Sequence, residues 1–267
     1  MDIHYACTKC GKCCHGLKIP LTVAEAGDWL ADGNPVQIVC EARFPDGGSG
    51  APVVGTDILK TAQFASRSFA ARTGATATRV VATVVAHNVG ACANLGADFG
   101  CRIYGRRPLV CRIYPAEVNP LIALNPASKA CPPEAWAAER PLFARGGKLM
   151  DAALREDIRR WRATIGADVE VMRRICWALA LKDAALFEEG IVIHSPPREL
   201  LRAALGAARQ TPDSGADAAA RDDWRLASDR PERLAALRDH GALACDSREL
   251  DPSRSEYIGL RQAAAVA

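Results

Sequence analysis

Aromatic residues make up only 6% of this 267-residue chain, and no stretch approaches the run of about 20 apolar residues that crosses a bilayer. The longest β-branched run, Val80 to Ala86, is far too short, so no membrane segment is expected. The first residues, MDIHYACTKC, lack a charged segment followed by an apolar one, and they are read as carrying no secretory signal. A strong charge of either sign is also missing. A net charge of +3, with so few aromatics, argues against a nucleic-acid partner. No Gly-x-Ser-x-Gly elbow is present, which leaves Ser/His/Asp hydrolysis without a motif.

Cysteine is what the sequence has in excess. There are eleven, and eight fall at 7, 10, 13, 14, 92, 101, 111 and 131, in or beside turn-rich sequence. Without a secretory signal the expected compartment is cytoplasmic and reducing. Clustered thiols there bind metal or do redox work more often than they form disulfides. Cys40, Cys176 and Cys245 stand apart, and Cys176, beside Ile175 and Leu179, reads as core.

The rest of the chain predicts a mainly α protein with minor β, a metal-stapled cysteine-rich module followed by a helical one. The boundaries are 1–140 for the cysteine-cluster domain, 146–209 for the helical region and 210–267 for a low-complexity, partly disordered tail. Helices are expected over Thr22–Ala31 and over 56–76, the latter with Ile58, Leu59, Phe64 and Phe69 on its apolar side. Two more follow: one carries Met150, Leu154, Ile158 and Trp161, and one is capped by Asp168. The Ser195-Pro196 step signals a further helix, and Arg230–His240 a short one around Leu234 and Leu237. Arg79–Val89 and Ile191–His194 read as strands, and Pro45–Gly55 as a loop.

The first motif is Cys7-Thr-Lys-Cys10-Gly-Lys-Cys13-Cys14. A Cys-x-x-Cys step turns two thiolates toward one ion, and Gly11 allows the tight wrapping that this needs. Adjacent Cys13 and Cys14 leave the backbone in different directions, so they sit more easily on different metals, or with one of them off the metal, than on one tetrahedral ion. The second motif runs Cys92-x8-Cys101-Arg-Ile-Tyr-Gly-Arg-Arg-Pro-x2-Cys111-Arg-Ile-Tyr-Pro, with Cys131-Pro132 beyond it. Eight thiols exceed what one zinc uses. They fit two metal sites, or one cubane-type cluster with a second site or spare thiols.

These residues resemble the CxxCxxCC cysteine-cluster family, described as a zinc- or iron-chelating domain and often as an iron–sulfur cluster-containing protein. The signature CxIYxxRPxxCRxYP is carried by Cys101, Ile103, Tyr104, Arg107, Pro108, Cys111, Arg112, Tyr114 and Pro115. The resemblance covers residues 5–133 in outline and implies a ligand role for Cys7, Cys10, Cys13, Cys14, Cys92, Cys101, Cys111 and Cys131. It implies an iron–sulfur cluster, with 4Fe-4S preferred and zinc as the alternative. The family includes flagellin lysine N-methylases, so an iron–sulfur-dependent methylase is one alternative, although no glycine-rich methyl-donor loop is present. A zinc-stabilised adaptor is another.

A thiolate-held centre is anionic. Lys9, Lys12, Arg102, Arg107 and Arg112 can offset that charge and donate hydrogen bonds to sulfur, with Arg107 and Arg112 the best placed within the signature. Tyr104 and Tyr114 are expected to shield the centre from water. His15 follows the cluster and reads as a neighbour more than a ligand. His4, His87, His194 and His240 show no ligand spacing. The expected function is metal binding, with an unidentified protein or redox partner.

Overall fold

In the computed structural model, residues 2–16, 18–45, 56–210 and 223–260 are described. The loop expected after Pro45 (46–55) lies outside them, as do 211–222 and 261–267 of the expected tail. The chain begins with β1 (Asp2–His4), β2 (Lys18–Pro20), α1 (Val23–Ala31), β3 (Val36–Arg43), α2 (Thr56–Ala65), β4 (Phe69–Thr73), β5 (Thr76–His87) and α3 (Leu109–Ile113). Next come β6 (Leu142–Arg145), β7 (Lys148–Leu149), α4 (Ala152–Ala167), α5 (Val169–Ala178), β8 (Asp183–Leu186) and β9 (Gly190–His194). Finally come α6 (Arg198–Gln210), β10 (Arg225–Ser228), α7 (Pro231–Asp239), β11 (Ala244–Asp246) and β12 (Ser255–Gly259).

The expectation of a mainly α protein is overturned by a nine-stranded mixed sheet, which makes this an α/β fold. Its spine is the antiparallel pair β3–β5, with Val36 opposite Ala86 and Arg43 opposite Arg79. In β3, Val36, Ile38, Cys40 and Ala42 are buried and alternate with half-buried neighbours, the period-2 pattern of a pleated strand. The free edge of β5 takes β2 at one end and β4 at the other. The free edge of β3 takes β9 antiparallel and β8 parallel. From β8 the sheet continues in parallel through β10 to β11, with α7 crossing between them, and β12 lies antiparallel to β9. Strands from both sides of residues 141–145 therefore share one sheet, and residues 223–260 of the expected tail contribute three of them.

Helices α1, α5, α6 and α7 place Trp29, Leu30, Ile175, Leu201 and Leu237 in the core on one face. Each fully buried aliphatic side chain there contributes about 1.5–3 kcal/mol. On the opposite face a smaller cluster gathers Val192, Ala227, Cys245 and Leu250. Cys40 and Cys176 are wholly buried, as expected for Cys176. The helix expected over 56–76 ends at Ala65. Phe69 starts β4 instead, and Ile58 and Leu59 are exposed while Phe64 is buried. Met150 lies before α4, exposed, and Asp151 caps that helix through the N–H groups of Ala153 and Leu154. Asp168 does not cap α5 with its side chain: its Oδ2 accepts the Val23 N–H at 2.9 Å, at the start of α1.

A second, three-stranded antiparallel sheet, β1–β6–β7, ties the N-terminus to residues 142–149. Beside it α3 packs on α4 through Leu109, Ile113, Leu154, Ile158 and Trp161. The candidate site lies between this small sheet and the β2 edge of the large one.

Candidate metal centre

Backbone pairing brings the distant cysteine segments together. The residues after β1 run alongside the turn that follows Cys131, with the Ala6 N–H donating to the Ala135 carbonyl at 2.9 Å. The chain then turns tightly through Lys9 and Gly11, both left-handed with φ of 55° and 70°. A Cβ at position 11 would stand 3.1 Å from Phe99 Cδ1 and 3.3 Å from Leu95 Cδ1, so a side chain there would strain the left-handed backbone and push the 95–99 loop back by a few tenths of an ångström. Beyond the 3₁₀ turn Lys12–Cys14, the Cys92 N–H donates to the Cys14 carbonyl at 2.6 Å and the Gly16 N–H to the Gly90 carbonyl at 2.8 Å. The loop 92–101 closes on itself through the pairing of Leu95 with Cys101 and the Arg102 N–H on the Asn94 carbonyl. Cys111 rides on α3, whose first N–H, from Leu109, is held by Glu25 of α1 at 2.7 Å.

All eight cysteines line one cavity of about 490 Å³, together with Tyr5, Trp29, Tyr104, Arg107 and Tyr114. None of the eight is fully buried. Their sulfurs stand on the walls, and among the described residues no three His, Cys, Asp or Glu side chains have the spacing that holds a single ion. Two thiols already accept backbone N–H groups, Cys7 from Lys9 and Cys92 from Asn94, each at 3.4 Å. Such donors stabilise a thiolate over a thiol.

The crowding of thiols makes their ionisation costly on its own. Burial first, and then Cys14, pushes the Cys13 thiol up to about 12. Burial first, and then Cys92, does the same for Cys111. Burial also raises Cys14 and Cys92, with Arg107 opposing the rise at Cys14 and the Asn94 N–H opposing it at Cys92. A cation is the group that reverses this cost.

Three buried polar atoms on the lining residues, Thr8 Oγ1, Trp29 Nε1 and Asn94 Nδ2, have no hydrogen-bond partner within the protein. Each carries a hydrogen to donate. Eight thiols, unused donors and the Arg107 guanidinium form a donor set suited to an anionic, thiolate-held group. The residues present therefore fit the metal group that the motifs imply.

Tyr104 lines the cavity but is exposed, with the Arg107 guanidinium 3.8 Å over its ring and Arg107 Nε donating to its carbonyl at 3.1 Å. Tyr114 lines the wall, and its hydroxyl accepts the Ala130 N–H at 2.8 Å. Arg112 is placed differently from the expectation. It turns away to pair with Asp157 of α4 at 2.9 Å and does not line the cavity. Arg107 lies in non-helical backbone before α3 and Arg112 within the helix, and the two side chains leave toward different sides. His15 is exposed, with Nδ1 donating to the Gly11 carbonyl at 3.0 Å. Tyr5 is a lining residue that spacing did not reveal. The Cys131 thiol donates to its hydroxyl at 3.7 Å, and its ring packs on Trp136 and Phe143. Its position two residues before Cys7 was the available signal.

No curated protein and no solved structure matches the chain. One family model does, over a segment that holds Cys92, Cys101, Cys111 and Cys131 but not the four cysteines of the first motif. Residues 55–132 match the CxxCxxCC family, described as a "Putative zinc- or iron-chelating domain".

Proposed function

We propose that this chain is a metal-binding protein whose cysteine cavity holds an iron–sulfur cluster. The observation that carries the reading is that eight cysteines from four separate chain segments line a single cavity of about 490 Å³. A lone zinc ion would draw four sulfurs to about 2.3 Å from one point. The spread of the thiols over a wide cavity favours a larger, many-atom group.

Bound, such a cluster supplies one-electron exchange. The chain's own residues would hold it through thiolates, offset its charge with Arg107, and restrict water with Tyr5 and Tyr114. The exposed Phe99 and the basic Lys9 and Arg102 at the rim would meet a redox partner protein. Zinc is the second reading, favoured by the family description, which names either metal. In that case the site is a closed, structural one.

The test is anaerobic purification followed by visible absorption and by iron, zinc and acid-labile sulfide per chain. A brown protein with iron and sulfide in equal amounts supports the cluster. A colourless protein with tightly held zinc transfers the reading to the structural site. Neither metal, after reconstitution has been attempted, overturns metal binding altogether.

A further inference from the structure

The eight thiols are not evenly shared around the cavity. On one wall, the Ala6–Ala135 backbone bond sets the Cys7 turn beside the segment that follows Cys131. The Tyr5 hydroxyl receives the Cys131 thiol, and the Ala130 N–H beside it reaches the Tyr114 hydroxyl. On the other wall, the Cys92 N–H bonds the Cys14 carbonyl, and Cys92 and Cys101 begin and end one closed loop. Cys92 and Cys111 both pack against the large core. Cys13 and Cys14 sit where the walls meet, in a single 3₁₀ turn. Consecutive side chains leave the backbone in different directions, which suits one serving each wall.

We infer that the cavity holds two four-thiolate centres divided between adjacent Cys13 and Cys14. Cys7, Cys10, Cys13 and Cys131 form one, and Cys14, Cys92, Cys101 and Cys111 form the other. This rests on the metal-binding reading above and adds the number of centres and the ligands of each.

The two sites differ in chemistry. The first is flanked by the phenols Tyr5 and Tyr114, and the second by the guanidinium of Arg107, which better offsets a thiolate-held charge. The second centre is therefore the one expected to keep its metal longer under a chelator.

The experiment compares full-length wild type with Cys131→Ser, Cys101→Ser and the double variant, each reconstituted without oxygen with iron and sulfide. Metal and sulfide per chain are counted, and a far-ultraviolet dichroism spectrum is recorded for each. Each single variant should retain about half of the wild-type load and the double variant almost none. Cys7→Ser should then reproduce the optical and electron-spin spectrum of Cys131→Ser, and Cys92→Ser that of Cys101→Ser, a pairing that misfolding would not produce. A single variant that loses all the metal, or keeps all of it, overturns the division while leaving metal binding intact. So does a wild-type load of one centre only. A wild type that takes up no metal overturns the underlying reading as well.

Discussion

Glu25 joins the first helix to the helix that carries Cys111. One carboxylate oxygen accepts the Thr22 N–H at 2.9 Å and completes the capping box of α1; the other accepts the Leu109 N–H at 2.7 Å and caps α3. Glu25→Ala removes both acceptors and leaves two backbone donors unsatisfied near the cavity. A loss of about 1–3 kcal/mol is expected in urea denaturation, with faster metal loss to a chelator. Glu25→Gln keeps one acceptor oxygen and should lose less.

The two arginines of the signature should separate cleanly on substitution. Arg107 lines the cavity, so Arg107→Ala should weaken metal retention while leaving the denaturation midpoint of the metal-free chain nearly unchanged. Arg112 pairs with Asp157, and its side chain is 39% exposed. Arg112→Ala should therefore cost no more than about 1 kcal/mol of stability and leave metal retention as it was. The opposite pattern, read from chelator competition and denaturation of both variants, would mean that the two side chains are wrongly placed.

The gathering of the cysteines was legible because ligand spacing is local. Cys7-x-x-Cys10 and the 101–115 signature announce themselves within a few residues, and one cavity takes in their cysteines together with Cys13, Cys14, Cys92 and Cys131. Two short helices were also legible. The one expected over Thr22–Ala31 appears as α1, and the one around Leu234 and Leu237 as α7. Two strands were legible, since Arg79–Val89 and Ile191–His194 appear as β5 and β9. The rest of the sheet was not, because most of the other strands are short: β8 and β10 have four residues and β11 has three, too few for a period to emerge. Ala184 and Ala185 pack in strands where composition alone suggests helix. β3 is the exception. Its alternation Val36, Ile38, Cys40, Ala42 was present in the sequence beside the more conspicuous cysteines.

That strand gives a direct check on the fold. Ile38 is fully buried, between β5 on one side and β9 on the other. Ile38→Ala should destabilise by about 2–5 kcal/mol. An exposed position on the outer turn of α2 offers the contrast: Leu59, 57% exposed, should tolerate alanine within about 0.5 kcal/mol. Chemical denaturation of both variants reads the difference.

His194 sets the expected acid response of the sheet. Its Nε2 donates to the Asp183 carbonyl at 2.8 Å, so in the neutral ring Nδ1 accepts from the Ser255 hydroxyl at 2.9 Å. Burial, the main cause, lowers the tendency of this imidazole to take a proton below its ordinary value near 6.5. In the unfolded chain the ring protonates as the pH falls through about 6.5, while in the folded chain it does so only further down. Between those two points the unfolded state binds more protons, so stability rises with pH and falls on acidification. The denaturation midpoint of wild type should therefore drop from pH 7.5 to pH 5.5. His194→Gln, whose amide can keep a donor toward Asp183, should start less stable but lose less over the same interval. Equal acid losses in the two proteins would show that another group carries the dependence. An acid loss larger in the variant would reverse the sign derived from the buried neutral ring.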